Sequence, residues 1–351
     1  MGQTARAHPR SARRFDRAGL VRDLRAATLD ASAALVLTLG VFAWLYARIA
    51  SGVSPTLEVM PFLADAGRYW LYWMCQAFGW TALLWAWITV MLGLIRSTRR
   101  PRWLPISTAR LEKWHRTTSL TTLGLMFAHA AWFMAEEIRT NEHGLGPLGR
   151  VWSAFVNVFV PGGYSTGTGR VAILIGLLAF YLAIPLGLAF YLRRSLGARV
   201  WRALHASVVV VYVLSVWHTL LYGTNVWYDG RFRTTVWLLQ LPVAVLLLVR
   251  LLAPATRPAG RGPVDVVARV VARAAAAAAI VVLIAVPVSG HDGGRTRGVE
   301  GAGLSVTPGM IWLGLAVFVA VVALAVYRAY RLARSLRSRA SVRAAEETAS
   351  G

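Results

Sequence analysis

Apolar runs long enough to cross a lipid bilayer recur eight times along this chain, at roughly 31–50, 70–95, 115–135, 171–192, 203–222, 235–253, 270–289 and 310–330. A helix needs about 20 apolar residues to cover ~30 Å of hydrocarbon, and inside lipid every backbone N–H and C=O must be paired within its own segment. The expected fold is therefore all-α: a polytopic membrane helical bundle of about eight transmembrane helices. With 57% of residues hydrophobic and only 15% charged, the chain has too few polar groups to cover a water-facing surface. The Ala-rich run at 270–289, with Arg273 near one end, is the least apolar of the eight.

Charges that played no part in choosing these runs fall on them unevenly. With the N-terminus inside, the inner segments carry 29 of the 38 basic residues and the outer segments 9. Retained cytoplasmic loops collect Lys and Arg in this way. The expectation is a multi-pass protein of a plasma membrane with both termini cytoplasmic. The net charge of +23 then reports topology, and no nucleic-acid partner is expected, because the basic clusters sit between apolar runs and not on one folded polar face. All basic residues except Lys113 are arginine, a bias that suits a GC-rich bacterial genome. Seven arginines precede the first run, which is longer than a signal-peptide core and reads as a start-transfer anchor.

The chain divides into a basic cytoplasmic tail (1–30), a six-span core (31–253), two additional helices (254–330) and a second basic tail (331–351). The tails are expected to be solvated or to lie on anionic membrane lipid. In the outer segment 136–170, the apolar stretch 151–160 is too short to span and is followed by the Gly-rich PGGYSTGTG, the pattern of an interfacial or re-entrant element.

Seven histidines are present, and four fall inside spans: His115 and His129 on the third, His205 and His218 on the fifth. His8, His143 and His291 lie in tails and loops. An ionisable side chain within a bilayer is costly and faces a partner. Haem iron is one such partner, taking a neutral imidazole nitrogen on each face. The separations of 14 and 13 residues correspond to about 21 and 19.5 Å of helix rise, so each helix offers two ligands at two depths. Pairing by depth yields an inner site, His115 with His205, and an outer site, His129 with His218. Fourteen steps of 100° return to within about 40° of the starting direction, whereas 13 leave a residue about 140° away. The second helix needs local overwinding, tilt, or rings approached from different sides. No CxxCH attachment motif occurs, so the haems are expected to be of the non-covalent b type: two, or one if one histidine pair is structural. Cys75, the single cysteine, excludes an intramolecular disulfide and any four-cysteine iron–sulfur or zinc site. The competing account is a non-redox transporter or scaffold whose histidines relay protons or pack helices.

The segments WHRTTSLTTLGLMFAH, ending at His129, and RALHASVVVVYVLSVWH, ending at His218, resemble the ferric-reductase-like transmembrane domain. That family includes ferric reductases, NADPH oxidases and the membrane haem subunit of a periplasmic methionine-sulfoxide reductase. NADPH oxidases show the same 14-then-13 spacing on their third and fifth spans. The resemblance covers roughly 31–253 and implies an oxidoreductase component that moves electrons outward from the cytoplasm. Many relatives continue into a flavin- and nicotinamide-binding module, for which no cytoplasmic segment here has room, and G167-T-G169 lacks the third glycine of a dinucleotide fingerprint. The expected donor is a separate cytoplasmic flavin reductase or similar carrier. The expected acceptor is ferric iron, oxygen or a periplasmic redox partner.

Further residues join this reading as candidates. Arg116 and Arg202, with Lys113 nearby, neighbour the inner histidines and could pair with haem propionates, although positive-inside placement accounts for them at least as simply. Gly124 lies between His115 and His129, where a missing side chain admits either a porphyrin or a neighbouring helix. Trp114, Trp132, Trp217 and Tyr212 are available for an electron path or an interfacial belt. His143 with Glu142, and His291 with Asp292, sit in outer loops where plain exposure is the simpler account.

Overall fold

The computed structural model describes residues 15–97, 106–165, 167, 169–223, 231–252, 270, 273–284 and 306–349. These residues form helices and connecting turns, with no strand among them. A short helix α1 (Arg17–Ala26) leads into α2 (Thr28–Ala50), and a turn containing α3 (Thr56–Val59) leads to α4 (Trp70–Ser97). The long α5 (Thr108–Thr140) and the short helix α6 (Pro147–Phe159) precede α7 (Gly169–Leu188). A 3-10 turn (Ala189–Leu192) and α8 (Arg193–Leu196) connect α7 to α9 (Ala198–Ala206) and α10 (Val208–Tyr222), after which come α11 (Arg231–Leu238) and α12 (Gln240–Leu252). The described chain ends with α13 (Arg273–Ile284) and α14 (Pro308–Ala349).

Six helices are long and apolar enough to span: Thr28–Ala50, Trp70–Ser97, Gly169–Leu196, Ala198–Thr219, Arg231–Leu252 and Pro308–Leu332. Two of the eight sequence runs differ. The run at 270–289 is represented by the 12-residue α13, about 18 Å of rise, and the rest of that run lies outside the described residues. The histidine-bearing third run is α5, whose 33 residues exceed any span requirement but whose composition is more polar. Three of its threonines point inward: Thr117, Thr118 and Thr121 are buried, and Thr118 and Thr122 donate back to the carbonyls of Trp114 and Thr118 at 2.9 and 2.8 Å. Helix α5 thus buries its threonine face against its neighbours, while Phe127 on another face is exposed.

Packing follows the stripes in the sequence. In α2, Ala34, Thr38, Leu45 and Ile49 recur on one face and are buried, while Leu35, Val36 and Leu39 on the other face are exposed to the lipid side. Trp73, fully buried, centres a core built from α2, α4, α10 and α12. Trp87 Nε1 donates to the carbonyl of Leu239 at 2.6 Å, tying α4 to the start of α12. Helix α7 is the most enclosed of the spans.

The N-terminal basic segment is less loose than its composition implied. Asp16 accepts from Gly19 N at 2.9 Å to cap α1, and Asp16 N donates to the carbonyl of Tyr191 at 3.0 Å. Asp23 on α1 is buried against α5. At the other end of the chain, the segment beyond residue 330 continues α14 as a helix through Ala349.

Candidate haem-binding site

Four helices build the site in two back-to-back layers. The structure brings His115 and His205 together with ring centres 5.7 Å apart and planes at 88°, and His129 and His218 with centres 6.0 Å apart and planes at 74°. Helices α5 and α9–α10 face each other across these contacts. Behind them stand α4 and α7.

Three of the rings are fixed by a carbonyl on the helix behind. His115 Nδ1 lies 2.9 Å from Thr89 O, His129 Nδ1 2.8 Å from Cys75 O, and His218 Nδ1 2.7 Å from Ala172 O. A carbonyl oxygen only accepts, so each Nδ1 carries the hydrogen and each Nε2 keeps its lone pair. The rings are thereby set in the tautomer that ligates through Nε2, the usual second-shell arrangement for a metal-bound imidazole.

A glycine lies four residues after each of those carbonyls. A Cβ on Gly93 would lie 3.0 Å from His115 Cε1, one on Gly79 3.0 Å from His129 Cε1 and Nδ1, and one on Gly176 2.6 Å from His218 Nδ1. The carbonyl of residue i already receives the N–H of residue i+4, and a ring from a neighbouring helix reaches it through the space that a missing i+4 side chain leaves open. Sequence reasoning overlooked these glycines, although a signal existed. Gly79 and Gly93 are separated by the same 14 residues as His129 and His115, as expected for matched rows on two antiparallel helices.

His205 is held differently. Its ring stacks on Trp201, centres 5.4 Å apart and planes at 20°, and no hydrogen bond to its ring nitrogens is present among the described residues. The angular mismatch of the 13-residue separation is reduced by local overwinding. The helix breaks between α9 and α10, where Ser207 N bonds Leu204 O at 3.1 Å and Val210 N bonds Ser207 O at 3.0 Å, both i to i−3. Each residue wound as a 3-10 turn adds about 20° over the α-helical step, turning His205 toward the direction of His218.

A cavity with about 1100 Å³ of empty space, its open mouth included, surrounds the outer pair. Its walls include His129, His218, Gly79, Gly176, Phe133 and Phe180. Beyond it, at the outer end of α5, buried Glu136 is paired with Arg139, whose Nε donates at 3.0 Å and whose guanidinium lies 5.0 Å above the Tyr69 ring.

The remaining candidates separate on inspection. Arg116 is bound to carboxylates: its Nε lies 3.3 Å from Asp23 Oδ2 and its NH1 3.1 Å from Glu112 Oε1, while Tyr191 OH donates to the same Asp23 oxygen at 3.0 Å. Arg202 is exposed on α9 and makes no ion pair among the described residues. A Cβ on Gly124 would meet nothing within 4 Å, so close helix packing does not require that glycine. Tyr212 is buried and donates to Gln240 Oε1 at 2.5 Å, facing the α4–α12 core. Trp132 packs edge-on against Trp70, and Trp114 is exposed. His143 and Glu142 are exposed, and His8, His291 and Asp292 lie outside the described residues.

Residues 78–216 match the family model for the ferric reductase like transmembrane component. The match covers less than half of the chain, narrower than the 31–253 suggested by the motifs. It includes His115, His129 and His205 and ends two residues before His218. This segment is similar to the membrane component of an oxidoreductase, and the similarity points to transmembrane electron transfer. No curated protein and no solved structure gives a match.

Proposed function

We propose that this chain, carrying a ferric reductase like transmembrane component at residues 78–216, is a b-type cytochrome that moves electrons outward through two bis-histidine haems. The inner haem would be held by His115 and His205, the outer by His129 and His218. The reading rests on one observation above all: two histidine pairs at two depths, with three of the four imidazoles held at Nδ1 by backbone carbonyls in the tautomer that ligates through Nε2.

The donor set and its spacing fit the group. Two imidazoles on one metal, each with a metal–nitrogen bond of about 2.0–2.1 Å, hold their ring centres roughly 6.3 Å apart. The observed 5.7 and 6.0 Å lie within a few tenths of an ångström of that separation. Among the described residues no three His, Cys, Asp or Glu side chains converge on a metal site, so each position offers a metal two protein ligands and no more. A porphyrin brings the other four itself. When bound, the iron supplies one-electron redox chemistry. The chain's own residues set the tautomer, the spacing and the apolar surroundings, and the glycine rows keep the imidazoles seated. Arg116 and Arg202 stand at the inner site as cations for propionates, Arg202 being the one that no carboxylate engages among the described residues.

The haem-binding core would run from 31 to 253, with 254–330 as additional helices and 1–30 and 331–351 as cytoplasmic basic segments. Electrons would enter from a separate cytoplasmic flavin reductase or similar carrier. They would leave to an acceptor such as ferric iron, oxygen or a periplasmic redox enzyme on the side of His129 and His218. A proton relay through these histidines is disfavoured. Passing a proton on requires a protonatable neighbour at the second ring nitrogen, and at His115 Nδ1 that neighbour is the peptide carbonyl of Thr89.

Visible spectroscopy of the purified protein tests the reading. A reducible low-spin b-type spectrum with two non-covalent haems per chain is expected; a folded, haem-free preparation from haem-replete cells would overturn it.

A further inference from the structure

The row of carbonyls and glycines that seats three imidazoles stops short of His205. On α4, Cys75 and Thr89 stand 14 residues apart, and each is followed four residues later by a glycine, Gly79 or Gly93. The same step along the chain from Ala172 and Gly176 leads to Leu186 and Phe190. A phenylalanine thus stands where a fourth glycine would leave a carbonyl open to a ring, and at Ala189 the α-helix has given way to a 3-10 turn. The His205 imidazole lies instead against the Trp201 indole, centres 5.4 Å apart and planes at 20°.

The indole is itself held by rings and not by a hydrogen bond. Trp201 Nε1 is buried and has no acceptor among the described residues, so its N–H anchors nothing there and the ring offers His205 its face alone. Phe190, the residue in the glycine's place, meets the indole edge-on at 66° with centres 6.2 Å apart. The Arg193 guanidinium lies 3.7 Å from the centre of the Phe190 ring, and Arg193 NH1 donates to the Phe190 carbonyl at 3.0 Å. Offset stacking and edge-to-face contact are the preferred aromatic geometries, and together they fix the plane of the imidazole. They do not select between its two nitrogens as a carbonyl does.

Building on the proposed function, we infer that Trp201 is the positioning residue of the inner site: its indole, backed by Phe190, seats His205 by stacking in place of the carbonyl that seats each of the other three imidazoles. His205 is then the one ligand whose seat is another side chain. Truncating that side chain loosens His205 and leaves His115, His129 and His218 on their backbone carbonyls. The stack needs a flat ring at position 201 and not an N–H, because the N–H has no partner among the described residues.

The test reads iron coordination and not turnover. Wild type, Trp201→Leu and Trp201→Phe are purified as full chains with haem, reduced with dithionite and exposed to carbon monoxide, which binds ferrous haem where an axial ligand has let go. Groups that orient a metal-bound imidazole contribute about 10–100-fold to metal affinity, so about half of the haem in Trp201→Leu, the inner half, should bind carbon monoxide or be lost from the chain. The other half should stay low-spin. Trp201→Phe should keep its haem low-spin and silent to carbon monoxide, as in the wild type. Two low-spin, silent haems in Trp201→Leu would overturn the role of Trp201, and equal behaviour of Trp201→Phe and Trp201→Leu would overturn stacking as its basis. If Trp201→Leu loses both haems, Phe190→Leu decides: it removes the edge contact behind the indole, and wild-type coordination in that variant would refute the stack. The proposed function fails separately, if the wild-type chain itself binds no haem.

Discussion

His129 Nδ1 lies 2.8 Å from the carbonyl oxygen of Cys75, and Gly79, one turn further along α4, leaves that oxygen open to the ring. The same relation links His115 with Thr89 and Gly93, and His218 with Ala172 and Gly176. Three imidazoles from two helices are thus seated by one backbone device on the two helices behind them.

Placing a methyl group at these glycines should unseat the rings. Gly176→Ala would bring a Cβ to 2.6 Å from His218 Nδ1, Gly79→Ala to 3.0 Å from the His129 ring, so loss of outer-site haem should be more severe for the first. Such overpacking costs about 1–3 kcal/mol. Gly40→Ala is the control, because its Cβ meets nothing within 4 Å, and replacing an open helical glycine should gain about 0.5–1 kcal/mol. Haem content per chain and melting temperature decide the matter. Wild-type haem content in Gly176→Ala would show that the glycine rows do not position the ligands.

Histidine variants should behave as pairs across helices. His115→Ala and His205→Ala should each remove the inner haem and block entry of electrons from a cytoplasmic donor, whereas His129→Ala and His218→Ala should remove the outer haem and leave the inner one reducible. Haem content and donor-side reduction in sealed vesicles of known orientation provide the readout. If His115 grouped with His129, the stacked arrangement would be wrong; if His205→Ala changed nothing, a single haem would be the better description.

Asp23 ties α1 to the core through Arg116 and Tyr191. Asp23→Ala leaves the Tyr191 hydroxyl without its acceptor and Arg116 with Glu112 alone, which should cost about 1–3 kcal/mol. Asp23→Asn keeps an acceptor for Tyr191 and should cost less. Melting temperatures in detergent should rank wild type, Asn, Ala, with two haems retained in each. An unchanged melting temperature for Asp23→Ala would mean that α1 is not held to the core by this network.

Glu137, at the outer end of α5, supplies a pH dependence. Burial pushes its carboxyl above the ordinary value of 4.5, against a hydrogen bond from Asn157, with Glu142 and Glu136 adding to the rise. A carboxyl that holds its proton longer in the folded state than in the unfolded one stabilises the protein at low pH. That contribution is lost as pH rises from the ordinary value through the raised one. Glu137→Gln should remove this decline, so its melting temperature should exceed that of the wild type increasingly across this range. Parallel melting curves for the two proteins would rule out a role for Glu137 in it.

Sequence alone pointed to an all-helical membrane bundle, to six of the spans among the described residues and to the two depths of the four histidines. Each of these is a local property: the bilayer demands a continuous apolar run, and helix rise converts residue number into depth. Which surfaces meet is not local, and tertiary structure alone decided it. The 13-residue separation left three geometries open until the i to i−3 bonds at Ser207 showed overwinding. Arg116 looked like a free cation until α1 folded back and placed Asp23 against it. The ligand-seating carbonyls of Cys75, Thr89 and Ala172 belong to residues with no chemical signature of their own, since a peptide carbonyl becomes a specific acceptor only when packing brings a ring to it and a glycine leaves the way open.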